Sequence, residues 1–322
     1  MARKFHMEIA AMAHTQSLSL VPRTVDSVFG CRSGIVVRKM FYFLVLLSVP
    51  IQALADREDP RPLDCSHVMA WVTGGMTQPR IQRLAYERGL DFAINQKETV
   101  RLLKSGAEPG LVQNLRTAKL AQSNRQPNSC PAQLAWAGEL VHQKKYEQAE
   151  PLIQKLIASD PNNSALRFAL GYIEQQQSDW DAAFDAYLDS RNLMPGLADT
   201  HARLAYVFYR CDDGDNAIAE ARTALSIDPK NPEAYRYLGL GFYANQQYAY
   251  AIHAFQESLA LEPDNADTYY DMGITLASTG DLSDAAAAYR KAIALHPQFW
   301  EAYNNLGTLQ HRMKNLAAAV AR

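Results

Sequence analysis

Pro161, Pro195, Pro229, Pro263 and Pro297 recur every 34 residues, so one structural unit repeats through the second half of the chain. The same step carries Ala149, Ala183, Ala217, Ala251, Ala285 and Ala319, and a row of small residues at Ala137, Gly171, Ala205, Gly239, Gly273 and Gly307. Ladders in phase with one another fix the architecture before any single residue does.

With each proline at the thirty-second place, units open at Cys130, Ser164, Ala198, Pro232, Ala266 and Trp300, the last cut short. In the unit that starts at Pro232, Asn231 is placed to cap a helix and Pro232 fills its first turn, where a missing N–H costs nothing. Tyr235, Leu238, Gly239 and Phe242 then follow at helical spacing, Asn245, Gln246 and Gln247 break the pattern, and Ala251, Ile252, Phe255 and Leu259 make a second apolar face. Each unit therefore reads as a helical hairpin, its small eighth and twentieth places letting the two helices approach closely. Two departures, Cys211-Asp212-Asp213-Gly214 in the third unit and Arg191 in the second, read as looser packing.

Leu238, Gly239, Phe242, Ala251, Phe255 and Pro263 make the pattern resemble the tetratricopeptide repeat, over residues 130–322. The resemblance implies an all-α fold, a right-handed superhelical solenoid of five complete hairpins (130–163, 164–197, 198–231, 232–265 and 266–299) and a truncated sixth (300–322). Arrays of this kind usually finish with a polar capping helix. This chain stops at Arg322, past Ala319, and reads either as a fragment of a longer protein or as one whose exposed end another subunit covers.

Ahead of the array, residues 56–122 read as a small helical domain and 123–129 as a polar linker. Within the domain, Cys65 to Thr73 is one helix, and Pro79 opens another with Ile81, Leu84 and Ala85 on one face and Gly89 at its end. Asn95 with Glu98 looks like a capping box leading into Val100, Leu102 and Leu103, stopped by Gly106. Pro109 begins a fourth helix through Leu111, Val112, Leu115, Ala118 and Leu120. Four short helices make so small a core that docking on the first repeat is expected. The order Arg80-Ile81, Arg88-Gly89-Leu90-Asp91-Phe92, Leu102-Leu103 and Gly106-Ala107 weakly resembles a helical module found beside bacterial repeat arrays.

Residues 40–55 form an apolar core behind Arg38 and Lys39 and end in Ala53-Leu54-Ala55, the pattern of a secretory signal peptide cleaved before Asp56. The run is shorter than the roughly 20 residues of a spanning helix, and Pro50 lies inside it, so no membrane span is expected in the mature chain. Residues 1–39 are left unassigned, as an unusually long leader or a start set too far upstream. Export to the periplasm or the extracellular space would put Cys65, Cys130 and Cys211 in an oxidising place. Either a Cys65–Cys130 disulfide ties the module to the first repeat and leaves Cys211 free, or all three thiols are unpaired.

A net charge of −2 gives no basic stripe for nucleic acid. There is no CxxC pair and no HExxH, and Asp212, Asp213 and Asp215 lack the terminal Glu of a calcium loop. No catalytic residue, metal site or cofactor is assigned. In the family, the second, fifth, sixth, ninth, twelfth and thirteenth places of each first helix line the inner wall, and here they hold Phe168, Tyr172, Arg203, Tyr206, Tyr209, Arg210, Arg236, Tyr237, Tyr243, Tyr270 and Asp271. Tyrosine and arginine are the side chains of binding hot spots, so a protein or peptide partner is expected there. The competing reading packs those tyrosines against the neighbouring unit and pairs Arg203 and Arg236 with Asp199, Glu233 or Asp267. The lysines and asparagines that clamp a partner's terminal carboxylate are absent from the fifth and ninth places, which read Phe168, Tyr172, Ala202 and Tyr206. The expected function is a non-enzymatic scaffold in the cell envelope. The alternatives are the targeting portion of a longer enzyme, such as a glycosyltransferase or peptidase, and an envelope assembly factor.

Overall fold

The structure, a computed structural model, describes residues 61–121 and 130–320. The apolar run expected as a signal peptide, its cleavage point and the linker lie outside the described residues. Those described fold into α-helices with no strand among them, and divide into two compact units between Pro263 and Asp264. No helix among them is long and apolar enough to cross a membrane.

The first unit opens with α1 (Cys65–Thr73), α2 (Gln78–Arg88), α3 (Gln96–Lys104) and α4 (Pro109–Arg116). Their limits follow from the caps. Asp64 accepts from the His67 amide at 2.8 Å at the start of α1. Pro79 stands in the first turn of α2, and Gly89 ends it. The Asn95 side chain accepts from the amides of Lys97 and Glu98. Val68, Met69, Trp71, Ile81, Leu84, Leu102, Leu111 and Leu115 fill the core, as their spacing predicts, but Val100 and Leu103 are exposed. The helix expected to continue through Leu120 stops at Arg116. Beyond it, backbone bridges join Leu63 to Leu90 and Leu90 to Leu120.

Four hairpins complete this unit: α5 (Ala132–His142) with α6 (Tyr146–Ser159), α7 (Ser164–Gln176) with α8 (Trp180–Leu193), α9 (Ala198–Arg210) with α10 (Gly214–Ile227), and α11 (Pro232–Ala244) with α12 (Tyr248–Leu261). The second unit holds α13 (Ala266–Thr279) with α14 (Leu282–Leu295), and then α15 (Trp300–Val320). The turn between paired helices is set at the fifteenth place, where Lys144, Ser178, Asp212, Gln246 and Gly280 all take left-handed φ between 58° and 92°. Such a turn is costly for a non-glycine residue and is repaid when the second helix packs on the first. Residues His311 to Asn315 are exposed, so nothing repays it at Lys314. There α15 runs straight through the fifteenth place, so the truncated sixth unit is a single helix from Trp300 to Val320.

The eighth place is small because of what faces it across the hairpin. A Cβ on Gly171, Gly239 or Gly273 would sit 2.6–2.7 Å from the ring of Tyr187, Phe255 or Tyr289. In the third unit, where the facing residue is Ala221, the eighth place is Ala205. Aromatic rings and glycines are thus matched unit by unit, and the rings are fully buried.

The two departures are not loose. Gly214 lies where a Cβ would run into Asn245 Oδ1, and Asn245 donates to Asp215 at 2.7 Å, so the third turn is pressed against the end of α11. Arg191 stands 3.5 Å from Glu220 Oε1, and Glu220 Oε2 is 2.7 Å from His201 Nδ1. Three exceptional residues in neighbouring helices form one buried polar group. His201 Nε2 lies 3.0 Å from the Pro195 carbonyl and donates to it, so a neutral ring leaves Nδ1 to accept a proton from the Glu220 carboxyl. Burial pushes Glu220 up to about 8 and His201 down to about 4, and lowers Arg191 to about 10.

Candidate protein-interaction face

The module is seated on the first helices of the array, on the side expected to receive a partner. Cys65 and Cys130, both fully buried, are joined by a disulfide. No cysteine among the described residues is a free thiol, and Cys211, expected to be left over, is also disulfide-bonded. The Arg101 guanidinium donates to the Cys130 carbonyl beside that bridge. Asn163, which caps α7, reaches across to Ser66 Oγ at 2.9 Å. A Cβ on Gly138 in α5 would fall 2.6 Å from the Ser105 backbone, so only glycine permits α5 to lie this close to the module.

A charged cluster fixes the other end of the seam. Arg80 is 2.9 Å from Asp199 and 3.4 Å from Asp228, and Arg83 also pairs with Asp228. Burial alone would lower the Arg80 pKa, but the two carboxylates more than offset it and raise it. Buried arginines are tolerated when paired in this manner. Arg203 Nη2 donates to the Gly75 carbonyl at 2.9 Å and lies 3.2 Å from Glu233. A cleft of ≈ 370 Å³ opens beside the cluster, lined by Arg83, Lys230, Glu233 and Glu262 among others.

The residues expected on the inner wall meet three fates. Phe168 is fully buried, with Gly74 of the module pressed on its ring, and Tyr172 abuts Gly75, which at φ 67° makes the tight turn after α1. Arg203, only 5% exposed, is committed to the module, to Glu233 and to the Tyr237 hydroxyl at 3.3 Å. This is the competing pairing for Arg203. Tyr237 is buried, and that burial pushes its hydroxyl pKa upward.

Tyr206, Tyr209, Arg210, Arg236 and Tyr243 are half-buried on α9 and α11. Tyr206 lies 5.1 Å from Tyr237, 6.3 Å from Tyr209 and 6.0 Å from Trp180. Arg236 lies over Tyr237 at 5.8 Å, and Tyr243 meets Tyr248 at 5.8 Å. In the second unit, Tyr270 packs 4.8 Å from Phe299 and accepts from Asn305 at 3.2 Å, and Asp271 is buried.

Sequence reasoning missed Trp180, and missed Arg80, Arg83 and Asp228, whose pairing spans more than a hundred residues. Gly74-Gly75 after an apolar helix was the only local sign of a close approach.

A family model described as TPR repeat matches residues 239–280 and 275–314, and one described as tetratricopeptide repeat matches 134–194. No curated protein matches the chain. Among solved structures, a thermophilic TPR protein of Thermus thermophilus superposes with TM-score 0.51 at 16% identity, over 55% of this chain and 97% of its own. MamA from Desulfovibrio magneticus gives 0.43 at 18% identity, over 51% and 92%. YrrB, a TPR protein described as having an unusual peptide-binding site, gives 0.40 at 19% identity, over 53% and 89%. The first likeness speaks for the fold, and with the family matches and the observed hairpins it shows that the 34-residue units of this chain are tetratricopeptide repeats.

Proposed function

We propose that this protein is a non-enzymatic scaffold in the cell envelope, which holds a segment of a partner protein on the inner face of its third and fourth repeats. The observation that carries the reading is the half-buried surface of Tyr206, Tyr209, Arg210, Arg236 and Tyr243. Rings that already touch one another offer a partner a large stacking area at little entropic cost, and arginine adds directional donors. The inner face of the second repeat belongs to the module, so the partner's footprint begins at α9. Export belongs to the same proposal, and a buried disulfide between module and array suits an oxidising compartment.

The test compares the full chain with a variant carrying Tyr206→Ala, Tyr209→Ala and Arg236→Ala, each immobilised and exposed to envelope extract. The variant is expected to keep its helicity by circular dichroism and to lose a protein that the parent retains. Equal retention by both would remove this face as the site.

A further inference from the structure

Arg210 is the last residue of α9, and it is held by aromatic rings. Its guanidinium lies 4.2 Å from the centre of the Trp180 ring and 5.9 Å from that of Tyr206, and Nη1 donates to the Tyr206 hydroxyl at 3.1 Å. Arg80, Arg83, Arg167, Arg191 and Arg203 each face a carboxylate. Arg210 has no such partner among the described residues. Of the acids nearest in sequence, the Asp213 carboxyl caps α10 through the amide and side chain of Asn216.

A guanidinium stacked on indole is held flat and weakly hydrated, with its remaining N–H groups directed along its own plane. That fork matches a carboxylate, which it binds through two parallel hydrogen bonds. Trp180, 3% exposed, is the floor that fixes the fork, and Tyr206 steers it. We propose that Arg210, seated on Trp180 and oriented by Tyr206, is the subsite that takes an acidic side chain of the partner segment, so that this face selects Asp- or Glu-bearing peptides. The proposal rests on the reading of the inner face as a partner site, and it adds the chemistry that the partner must carry.

The experiment pans a display library of random peptides on three full-length proteins: the parent, Arg210→Gln, and the triple variant at Tyr206, Tyr209 and Arg236. Helicity and melting temperature are matched beforehand. The parent is expected to enrich peptides with Asp or Glu beside an apolar residue. On Arg210→Gln the acidic preference disappears while peptides are still selected, and the triple variant selects none above background. Exchanging the acidic residue of a selected peptide for its amide should weaken binding to the parent by about tenfold and leave binding to Arg210→Gln unchanged. Peptides without an acidic preference, or an acidic preference that survives Arg210→Gln, would overturn the subsite and leave the face intact. No selection by the parent, or equal selection by the triple variant, would overturn the face and the subsite together.

Discussion

Glu220, His201 and Arg191 show how a buried polar group makes the fold sensitive to pH. Glu220 holds its proton up to about pH 8 in the fold, against 4.5 ordinarily, and His201 stays neutral down to about pH 4, against 6.5. Around pH 5.5 the unfolded chain has a proton on the imidazole and the folded chain has one on the carboxyl, so the counts match and stability is flat. Above pH 6.5 the unfolded pair holds no proton while the fold still holds one, so stability declines from there to about pH 8. The loss is on the order of 2 kcal/mol. Glu220→Gln, which keeps a donor toward Nδ1, is expected to abolish the decline, read as the urea midpoint at pH 6.5 and at pH 8. A parent that loses no more than the variant would mean that Glu220 is ionised in the fold. The sequence showed Arg191 out of pattern, but His201 and Glu220 occupy places that vary from unit to unit, so the group they form was not visible in it. The glycine ladder was legible because a missing Cβ leaves a mark in one residue that a three-residue contact does not.

The four-helix module illustrates the same divide at the level of elements. Its helices could be drawn from local chemistry, since Pro79, Gly89, Asn95 and Pro109 act within a turn of where they stand. Its seat could not, because Arg80 meets Asp199 across 119 positions and no periodicity links them. That contact should dominate the seam. Arg80→Ala would leave the buried Asp199 without the cation that offsets its desolvation and Asp228 with Arg83 alone, at a cost of about 3–5 kcal/mol. Arg83, a third exposed, shares Asp228 and should cost much less. Chemical denaturation of the two single variants gives the ranking directly. Equal losses would show that the module is held by its apolar contacts and its disulfide, and that the ion cluster contributes little.

At the scale of the molecule, the repeat told how the array is built but not that its inner face is shared with the chain's own N-terminal module. One apolar core runs from Leu63 in the module through Leu134, Phe168 and Leu204 to Ala217 in the third repeat, without a break at the disulfide. In repeat proteins stability is the sum of each unit and its contacts with its neighbours, so the module acts as the first neighbour of the array. A chain that begins at Cys130 would bare Phe168 and the close-packed surface around Gly138, together with Asp199 and Asp228 stripped of their arginines. The effect should be graded along the chain. Amide exchange is expected to lose protection in α5 to α8, to weaken in α9, and to stay near the parent's in α11 and α12, whose Glu233 and Leu261 line the cleft beside the module. Uniform loss across all eight helices would mean that the first unit folds as a single cooperative block. Unchanged protection in α7 would mean that the module rests on the face without stabilising it, and the footprint of a partner could then extend back to Phe168 and Tyr172.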